Sequence, residues 1–193
     1  GLVNLYYEAG NLEHQAFRSA TAQDFYSRAI ELQEELRQKT PDSADHESLL
    51  ARLYVNLANC LENTDGGRLD ALGQAIEIGL GLVKRSPDHV TYRVNLMTAQ
   101  LNRAITYDAL NKLAESRDDY LSAVETSHLE PGDGSDEPQL ATKRVPALVN
   151  LGLVYGKLNQ EEEAIECNRE AIALGTKLVQ DDPTLVRVRI DTA

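Results

Sequence analysis

The pentapeptide "RAIEL" at residues 28–32 recurs three times along the chain. Its later forms are "QAIEI" at 74–78, "SAVET" at 122–126 and "EAIAL" at 170–174. The alanines at positions 29, 75, 123 and 171 are therefore 46, 48 and 48 residues apart. A period of this size is typical of solenoids, in which each unit buries its apolar face only against its neighbours. The recurrence predicts an array of similar units.

Each unit contains the pattern of two helices. A second element precedes the last three alanines, as "NLA" at 56–58, "NRA" at 102–104 and "NLG" at 150–152. Around the first copy, leucines recur at helical intervals and form one apolar stripe, at Leu50, Leu53, Leu57 and Leu61. We expect first helices near 42–63, 87–110, 139–158 and 183–193, and second helices near 12–39, 68–85, 113–129 and 160–181. Residues 2–9 are expected to be the remnant of a further first helix.

Prolines and turn residues mark the ends of these helices. The sequences "TPD" at 40–42, "SPD" at 86–88 and "DDP" at 181–183 each suggest a capping side chain before a proline in the first helical turn. Pro138 is predicted to start a helix, and Pro146 to kink that helix or reset its start. Gly, Asn and Lys at 65–67, 111–112 and 156–160 predict the turns within helix pairs. Since no segment alternates like a strand, the predicted fold is an all-α solenoid of antiparallel helix pairs.

The segment "LVNLGLVYGKLNQEEEAIECNREAIAL" (148–174) resembles a tetratricopeptide repeat. The resemblance rests on Asn-Leu-Gly at 150–152, followed by Tyr155, Asn159, Ala164 and Ala171. The unit at 102–123 is similar but departs from the family pattern at Arg103 and Ser116. The units at 56–75 and 22–29 match more loosely, so the resemblance extends over nearly the whole chain.

The period exceeds the roughly 34 residues of an ordinary tetratricopeptide repeat. Extra helical turns would account for the difference, which makes the chain similar to the long-helix repeats of kinesin light chains and to arrays appended to bacterial serine/threonine kinases. We predict one repeat array over residues 1–193, with units near 1–40, 41–85, 86–130 and 138–182. The chain starts partway through a unit and ends on "DPTLVRVRIDTA", which begins another helix, so we expect a fragment of a longer array.

Charge and motif content argue against several classes of function. The net charge of −12 argues against a nucleic-acid partner, and no apolar run is long enough for a membrane span. With no signal pattern, we expect a cytoplasmic protein. Cys60 and Cys167 are far apart and the four histidines are scattered, so neither a metal nor another cofactor is expected. No catalytic or kinase motif occurs, so we do not expect an enzyme.

One acidic loop carries carboxylates of the kind that bind calcium. Residues 130–138, "EPGDGSDEP", concentrate Asp133, Asp136 and Glu137. A calcium loop needs a longer and more regular alternation of oxygen ligands. A solvated loop between repeats is therefore the expected role of this segment.

The resemblance implies that the first helices line a concave groove that binds peptides. On one first helix, a polar stripe at intervals of four, three and four residues runs beside the leucines, at Arg52, Asn56, Asn59 and Asn63. Asn102 and Asn150 would repeat Asn56 in the later units, and Lys157 and Arg103 are weaker additions. An asparagine amide can pair with the peptide group of an extended ligand. The alternative is that these amides bond within the protein and serve packing alone.

We therefore predict a protein-interaction module that binds a protein or peptide segment in its groove. Two alternatives remain open. The chain could self-associate through uncapped end repeats or act as a spacer. It could also be a regulatory region attached to a catalytic domain, such as a protein kinase, outside this segment.

Overall fold

The computed structural model describes residues 1–40, 43–62, 66–128 and 138–182. The described residues form eight α-helices and no strand. In chain order the helices are α1 (Leu2–Gln15), α2 (Ser19–Lys39), α3 (Ala44–Cys60), α4 (Gly66–Arg85), α5 (Val90–Ala109), α6 (Leu113–Ser127), α7 (Pro138–Lys157) and α8 (Glu161–Asp181).

The helices form four consecutive antiparallel pairs, which confirms the predicted all-α solenoid. The pairs are α1–α2, α3–α4, α5–α6 and α7–α8, and the second helix of each pair packs against the first helix of the next. The recurring alanines lie where helices cross. Ala29, Ala75, Ala123 and Ala171 are at most 4% exposed. A small side chain at this point lets two helix backbones approach closely, which explains why the same residue returns in every unit.

Three turns within pairs share one backbone conformation. Phe17, Asn111 and Asn159 each have a φ near +58°, at 58°, 56° and 59°. In each turn the following residue donates its backbone N–H to a carbonyl near the end of the preceding helix, as Lys112 does to Tyr107 at 2.8 Å. Asparagine tolerates this left-handed conformation better than most residues, so the predicted turn at 111–112 is confirmed, and the one at 156–160 lies at 158–160 because α7 extends to Lys157. The predicted turn at 65–67 is wrong at its last two residues, since α4 begins at Gly66.

The predicted start of α2, the second helix of the first pair, is wrong. The pattern suggested a helix over 12–39, but residues 12–15 belong to α1 and α2 begins at Ser19. The left-handed residue Phe17 separates the two helices, and a phenylalanine gives no sequence signal for such a turn. Residues 2–9 are thus part of a full helix of 14 residues.

The proline predictions had mixed outcomes. Pro138 is the first residue of α7, as predicted, whereas Pro87 lies in a turn and α5 begins only at Val90. Pro146 lies inside α7 and does not reset the start of that helix. At α3, the cap is Ser43, whose hydroxyl oxygen accepts from the His46 backbone N–H at 3.4 Å. Pro41, Asp42 and residues 183–193 lie outside the described residues.

Candidate functional site: the face of the first helices

The first helices α1, α3, α5 and α7 form one continuous face, which we call the inner face. Helix α3 contacts α5, and α5 contacts α7, in addition to the contacts within and between pairs. The second helices of neighbouring pairs do not approach one another to the same extent over the described residues. The array therefore curves with the first helices on the inside, where a ligand could contact several repeats at once.

Arg52 lies on the inner face and points across to α1. Its guanidinium donates to the Tyr7 hydroxyl at 2.6 Å and lies 5.1 Å from the centre of the Tyr7 ring. Among the described residues, no carboxylate lies within 4 Å of this guanidinium. Arg52 is thus an exposed positive charge held in place by an aromatic ring and not neutralised by an acid.

Two predicted asparagines on α3 pair with asparagines on the neighbouring first helices. The Asn56 amide nitrogen donates to Oδ1 of Asn11 at 3.2 Å. The same Asn11 oxygen accepts from the Tyr26 hydroxyl at 2.8 Å. One repeat later, the Asn102 amide nitrogen donates to Oδ1 of Asn59 at 3.0 Å. These bonds connect consecutive repeats across the inner face, while each pair retains unused donors and acceptors.

Asn150 has a different environment from Asn102, because Tyr120 of α6 stands where the preceding repeat has Leu72 of α4. Its side chain lies close to the hydroxyl of Tyr120 on α6. Burial raises the pKa of Tyr120 to about 12, and the neighbouring Asn150 amide lowers that pKa by a smaller amount. Tyr120 itself is only 2% exposed. Asn150 therefore contacts the core of the preceding repeat, whereas the Asn102 amide bonds to Asn59 on the inner face.

The two weaker candidates are both paired with acids. The Lys157 ammonium group lies 2.6 and 2.7 Å from the two carboxylate oxygens of Asp108 on α5. Arg103 makes a bidentate pair with Asp119, with both bonds at 2.7 Å. Both charges are thus largely cancelled locally. Asn63 lies outside the described residues, as do Asp133, Asp136 and Glu137 of the acidic loop.

A small polar cavity of about 150 Å³ opens on the inner face between α3 and α5. It is lined by Ala51, Arg52, Val55, Asn56, Asn95 and Thr98. Asn95 and Thr98 were not singled out in the sequence, although Asn95 precedes Asn102 by seven residues and shares its helix face. The Asn95 amide nitrogen donates to the Ser48 hydroxyl at 3.4 Å. The cavity brings one guanidinium, two amides and one hydroxyl together.

The buried thiols and the metal-binding potential of the described residues complete the survey of titratable groups. Cys60 and Cys167 are buried free thiols, and burial raises the pKa of both. Within the described ranges, no group of three or more His, Cys, Asp or Glu side chains could hold a metal ion. None of the described helices has the length and apolar character needed to cross a membrane.

Comparison with known proteins agrees with this architecture. The family model of the tetratricopeptide repeat matches residues 145–174. None of the curated protein sequences compared with the chain matches it. The crystal structure of the apo form of RapI is similar, with a TM-score of 0.66 and 16% identity. The match covers 93% of this chain and 57% of the RapI chain, so the chain spans little more than half of that protein.

Two further solved structures match less well. BtubC (BKLC) from P. vanneervenii has a TM-score of 0.43 and 18% identity, with 92% of this chain and 81% of that chain covered. MamA has a TM-score of 0.38 and 14% identity, with 89% and 96% covered. The stronger likeness to RapI shows a shared helical-repeat fold.

Proposed function

We propose that the chain, a tetratricopeptide-repeat protein by its match at residues 145–174, binds an extended segment of a partner protein along its inner face. The observation that carries this proposal is the cavity between α3 and α5, where Arg52 has no acidic partner among the described residues. The role of the fold is to hold these groups in fixed positions. A ligand then meets preorganised donors, and the protein loses little conformational freedom on binding.

The charge on Arg52 favours a ligand that carries a carboxylate. The chain has a net charge of −12, and Lys157 and Arg103 are already paired with Asp108 and Asp119. Arg52 makes one hydrogen bond to a neutral hydroxyl, so other N–H groups of its planar guanidinium are available. Bidentate pairing with a carboxylate is among the strong interactions that such a group makes.

The amides around the cavity suit the backbone of the same ligand. Asn56 and Asn95 line the cavity on its two sides, and Thr98 adds a hydroxyl. An asparagine side chain presents one acceptor and two donors, which match the N–H and C=O of a peptide group. Because both asparagines are held by bonds to other residues, they are oriented before the ligand arrives.

Apolar side chains follow further along the inner face. Ile105 on α5 and Leu153 on α7 are 43% and 61% exposed, at the positions that Asn11 and Asn59 have in the earlier repeats. Neighbouring helices pack about 8–10 Å apart, and an extended chain covers about 3.3–3.6 Å per residue. Ile105 is one helix spacing away from α3 and also seven residues, about 10 Å, further along the helix axis than Thr98, the equivalent of Arg52 on α5. A ligand would therefore present an acidic residue to Arg52 and an apolar residue about four positions away.

Selection from a library of displayed random peptides tests the proposal. The parent chain should enrich peptides with an acidic and an apolar residue at that spacing. The Arg52→Gln variant should lose the acidic preference and bind the selected peptides about tenfold more weakly, since a charge-assisted bond contributes about 1.5 kcal/mol or more. Arg28→Gln is the matched control, because Arg28 lies on α2, away from the inner face, and pairs with Glu31.

Arg52 is the better position for this test than the asparagines. Replacing Asn56 or Asn150 would also alter the surroundings of a buried tyrosine. If no peptide is enriched by the parent chain, or if Arg52→Gln binds the selected peptides as well as the parent does, the proposed site is wrong.

A further inference from the structure

Tyr7 and Arg52 both depart from the repeat pattern, and their side chains are in contact. The small buried residues of the first helices give the alignment of the repeats, and they are Gly10, Ala58, Ala104 and Gly152. At the position of Tyr7 the later first helices have aliphatic residues, namely Val55, Leu101 and Val149. At the position of Arg52 the other first helices have uncharged residues, namely Asn4, Thr98 and Pro146. The other repeats therefore pack without a hydroxyl or a charge at these two positions.

The Tyr7 hydroxyl retains an unused hydrogen-bond donor. Its oxygen accepts from the Arg52 guanidinium at 2.6 Å. A phenolic hydroxyl can also donate one hydrogen bond, and no residue of the described ranges accepts one from Tyr7. The buried Tyr26, by contrast, donates its hydroxyl to Asn11 at 2.8 Å. Because Tyr7 is only half-buried, a ligand on the inner face can accept the hydrogen bond that the protein leaves unmade.

The two donor groups are close enough to bind one carboxylate together. The hydroxyl oxygen of Tyr7 and the guanidinium nitrogen of Arg52 that it contacts are 2.6 Å apart. A carboxylate has two oxygens that can accept in parallel, as they do in a bidentate pair with arginine. In this arrangement, one oxygen would accept from a guanidinium N–H and the other from the phenolic O–H. Hydrogen bonds to an ionised acceptor are roughly twice as strong as neutral ones, so the phenol adds to the anchor.

We propose that the Tyr7 hydroxyl donates a hydrogen bond to the same ligand carboxylate that Arg52 binds. This inference rests on the function proposed above, and it adds a residue of α1 to the ligand site. Tyr7 lies on the α1 side of Arg52, whereas Asn95 and Thr98 of the cavity lie on its α5 side. The ligand therefore crosses the first helices from α1 towards α7, with its acidic residue at the α1 end.

The phenol makes the anchor selective for an acid over the corresponding amide. A carboxylate offers an accepting oxygen to each of the two donors, whereas a side-chain amide has only one accepting oxygen and a nitrogen that donates. An amide at this place would leave either Tyr7 or Arg52 facing another donor. Without the Tyr7 hydroxyl, the amide oxygen could face Arg52 and no second donor would oppose its nitrogen. Tyr7 is thus a specificity-determining residue of the site.

The peptides selected by the parent chain test this role, together with copies in which the acidic residue is replaced by its amide. Tyr7→Phe keeps the ring beside Arg52 and removes only the hydroxyl. Fluorescence polarisation should show about fivefold to tenfold weaker binding of the acidic peptide and little change for the amide peptide. Combined with Arg52→Gln, Tyr7→Phe should still weaken binding of the acidic peptide, because a direct contact does not act through the guanidinium.

Tyr6→Phe is the matched control, since it makes the same change at the neighbouring position of α1. The Tyr6 ring lies 6.2 Å from that of Phe25 on α2, and its hydroxyl pairs with Arg28. This variant should bind both peptides as the parent does. Circular dichroism checks that all variants keep the parent helicity.

The inference is overturned if Tyr7→Phe binds the acidic peptide as tightly as the parent. It is also overturned if the acidic and amide peptides lose affinity equally, because the effect then comes from packing. No further loss in the combined variant would show that Tyr7 only positions Arg52. In each of these cases the function proposed above stands if Arg52→Gln loses the acidic preference. If the parent enriches no peptide, both proposals are wrong.

Discussion

The side-chain amide of Asn102 on α5 donates to Oδ1 of Asn59 on α3, and the two atoms are 3.0 Å apart. Asn56 and Asn11 make the same bond one repeat earlier, at 3.2 Å. In both pairs, the donor asparagine lies two residues before a small residue at which its own helix packs. The acceptor asparagine lies one residue after the equivalent small residue of the preceding first helix. These bonds fix the register of consecutive repeats and orient the amides of the inner face.

The asparagines of the inner face should differ in their effect on stability. Asn150→Ala removes the polar neighbour of the buried Tyr120 hydroxyl, so we expect it to lower the free energy of unfolding by about 1 kcal/mol. Asn102→Ala removes a bond to an exposed side chain and should cost less than about 0.5 kcal/mol. Urea denaturation of both variants measures the difference.

A double-mutant cycle of Asn150→Ala with Tyr120→Phe identifies the cause of the Asn150 effect. A coupling above about 0.5 kcal/mol is expected for two side chains in direct contact. Equal losses for Asn102→Ala and Asn150→Ala, together with no coupling, would contradict the assignment of Asn150 to the core of the preceding repeat.

The helix pairs were predictable because their signals are local in the sequence. The recurring alanine and the turn residues Asn111 and Asn159 each act within one repeat. Arg68 gave no such signal. Its guanidinium donates to the backbone oxygens of Ala58 and Leu61 at the end of α3, and to the hydroxyl of Thr106 on α5. Whether a charged side chain points into the protein depends on such groups, which are distant from it in the sequence. The spacing of residues along the chain does not reveal these contacts.

The candidate site shows the same limit. The spacing of Asn56, Asn102 and Asn150 correctly placed them at equivalent positions of three first helices. Their neighbours were not predicted, because Asn11 precedes Asn56 by 45 residues and belongs to a helix that had no recognisable motif. The change from Leu72 to Tyr120 at one repeat position then gives Asn150 a different environment from Asn102. Their role in ligand binding stays a prediction.

Gly10 should be intolerant of a side chain, although it lies within a helix. A Cβ atom there would be 2.6 Å from Cε1 of Tyr26, which is only 1% exposed and packs in the core. Alanine favours a helix over glycine by about 1 kcal/mol, but overpacking in a core typically costs about 1–3 kcal/mol. We expect Gly10→Ala to destabilise the protein by about 1 kcal/mol net.

Gly73→Ala on α4 is the matched comparison for Gly10→Ala. A Cβ atom at Gly73 would have nothing within 4 Å, so only the helix preference applies. This variant should raise the free energy of unfolding by about 0.5–1 kcal/mol in urea denaturation. The two variants should therefore shift stability in opposite directions, and a shift of the same sign in both would contradict the predicted contact with Tyr26.

Phe17 should be replaceable with a gain in stability. Its φ of 58° is unfavourable for a phenylalanine, and its side chain is 94% exposed, so the ring contributes little packing. Asn111 and Asn159 adopt the same conformation in the equivalent turns. Because asparagine tolerates it better, we expect Phe17→Asn to raise the thermal midpoint and to add about 0.5–1 kcal/mol.

Phe17→Ala separates the backbone effect from loss of the ring. Alanine has a Cβ atom and therefore meets the same backbone restriction, so this variant should be close to the parent in stability. A gain with alanine equal to that with asparagine would show that removal of the exposed ring, and not the backbone conformation, stabilises the protein.

Stability should fall in alkaline solution because Tyr26 and Tyr120 are buried with neutral hydroxyl groups. Burial raises the pKa of each to about 12, from the ordinary value of 10.0. Between these values the unfolded chain releases the phenolic protons while the folded chain retains them. The unfolded state then binds fewer protons, so the free energy of unfolding decreases as pH rises from 10 towards 12. Each tyrosine contributes a slope of up to about 1.4 kcal/mol per pH unit in this window.

The variant Tyr120→Phe isolates one of these two contributions. It lacks the titrating hydroxyl but keeps the ring, so its unfolding free energy should decline less steeply than that of the parent between about pH 10 and pH 12. Below about pH 9 neither protein should show this dependence, since both phenols are then protonated in the folded and unfolded states. Urea denaturation at several pH values gives the two slopes, and absorbance titration of the native parent gives the phenolic pKa directly. Equal slopes for parent and variant would show that Tyr120 ionises as readily in the folded protein as in the unfolded chain.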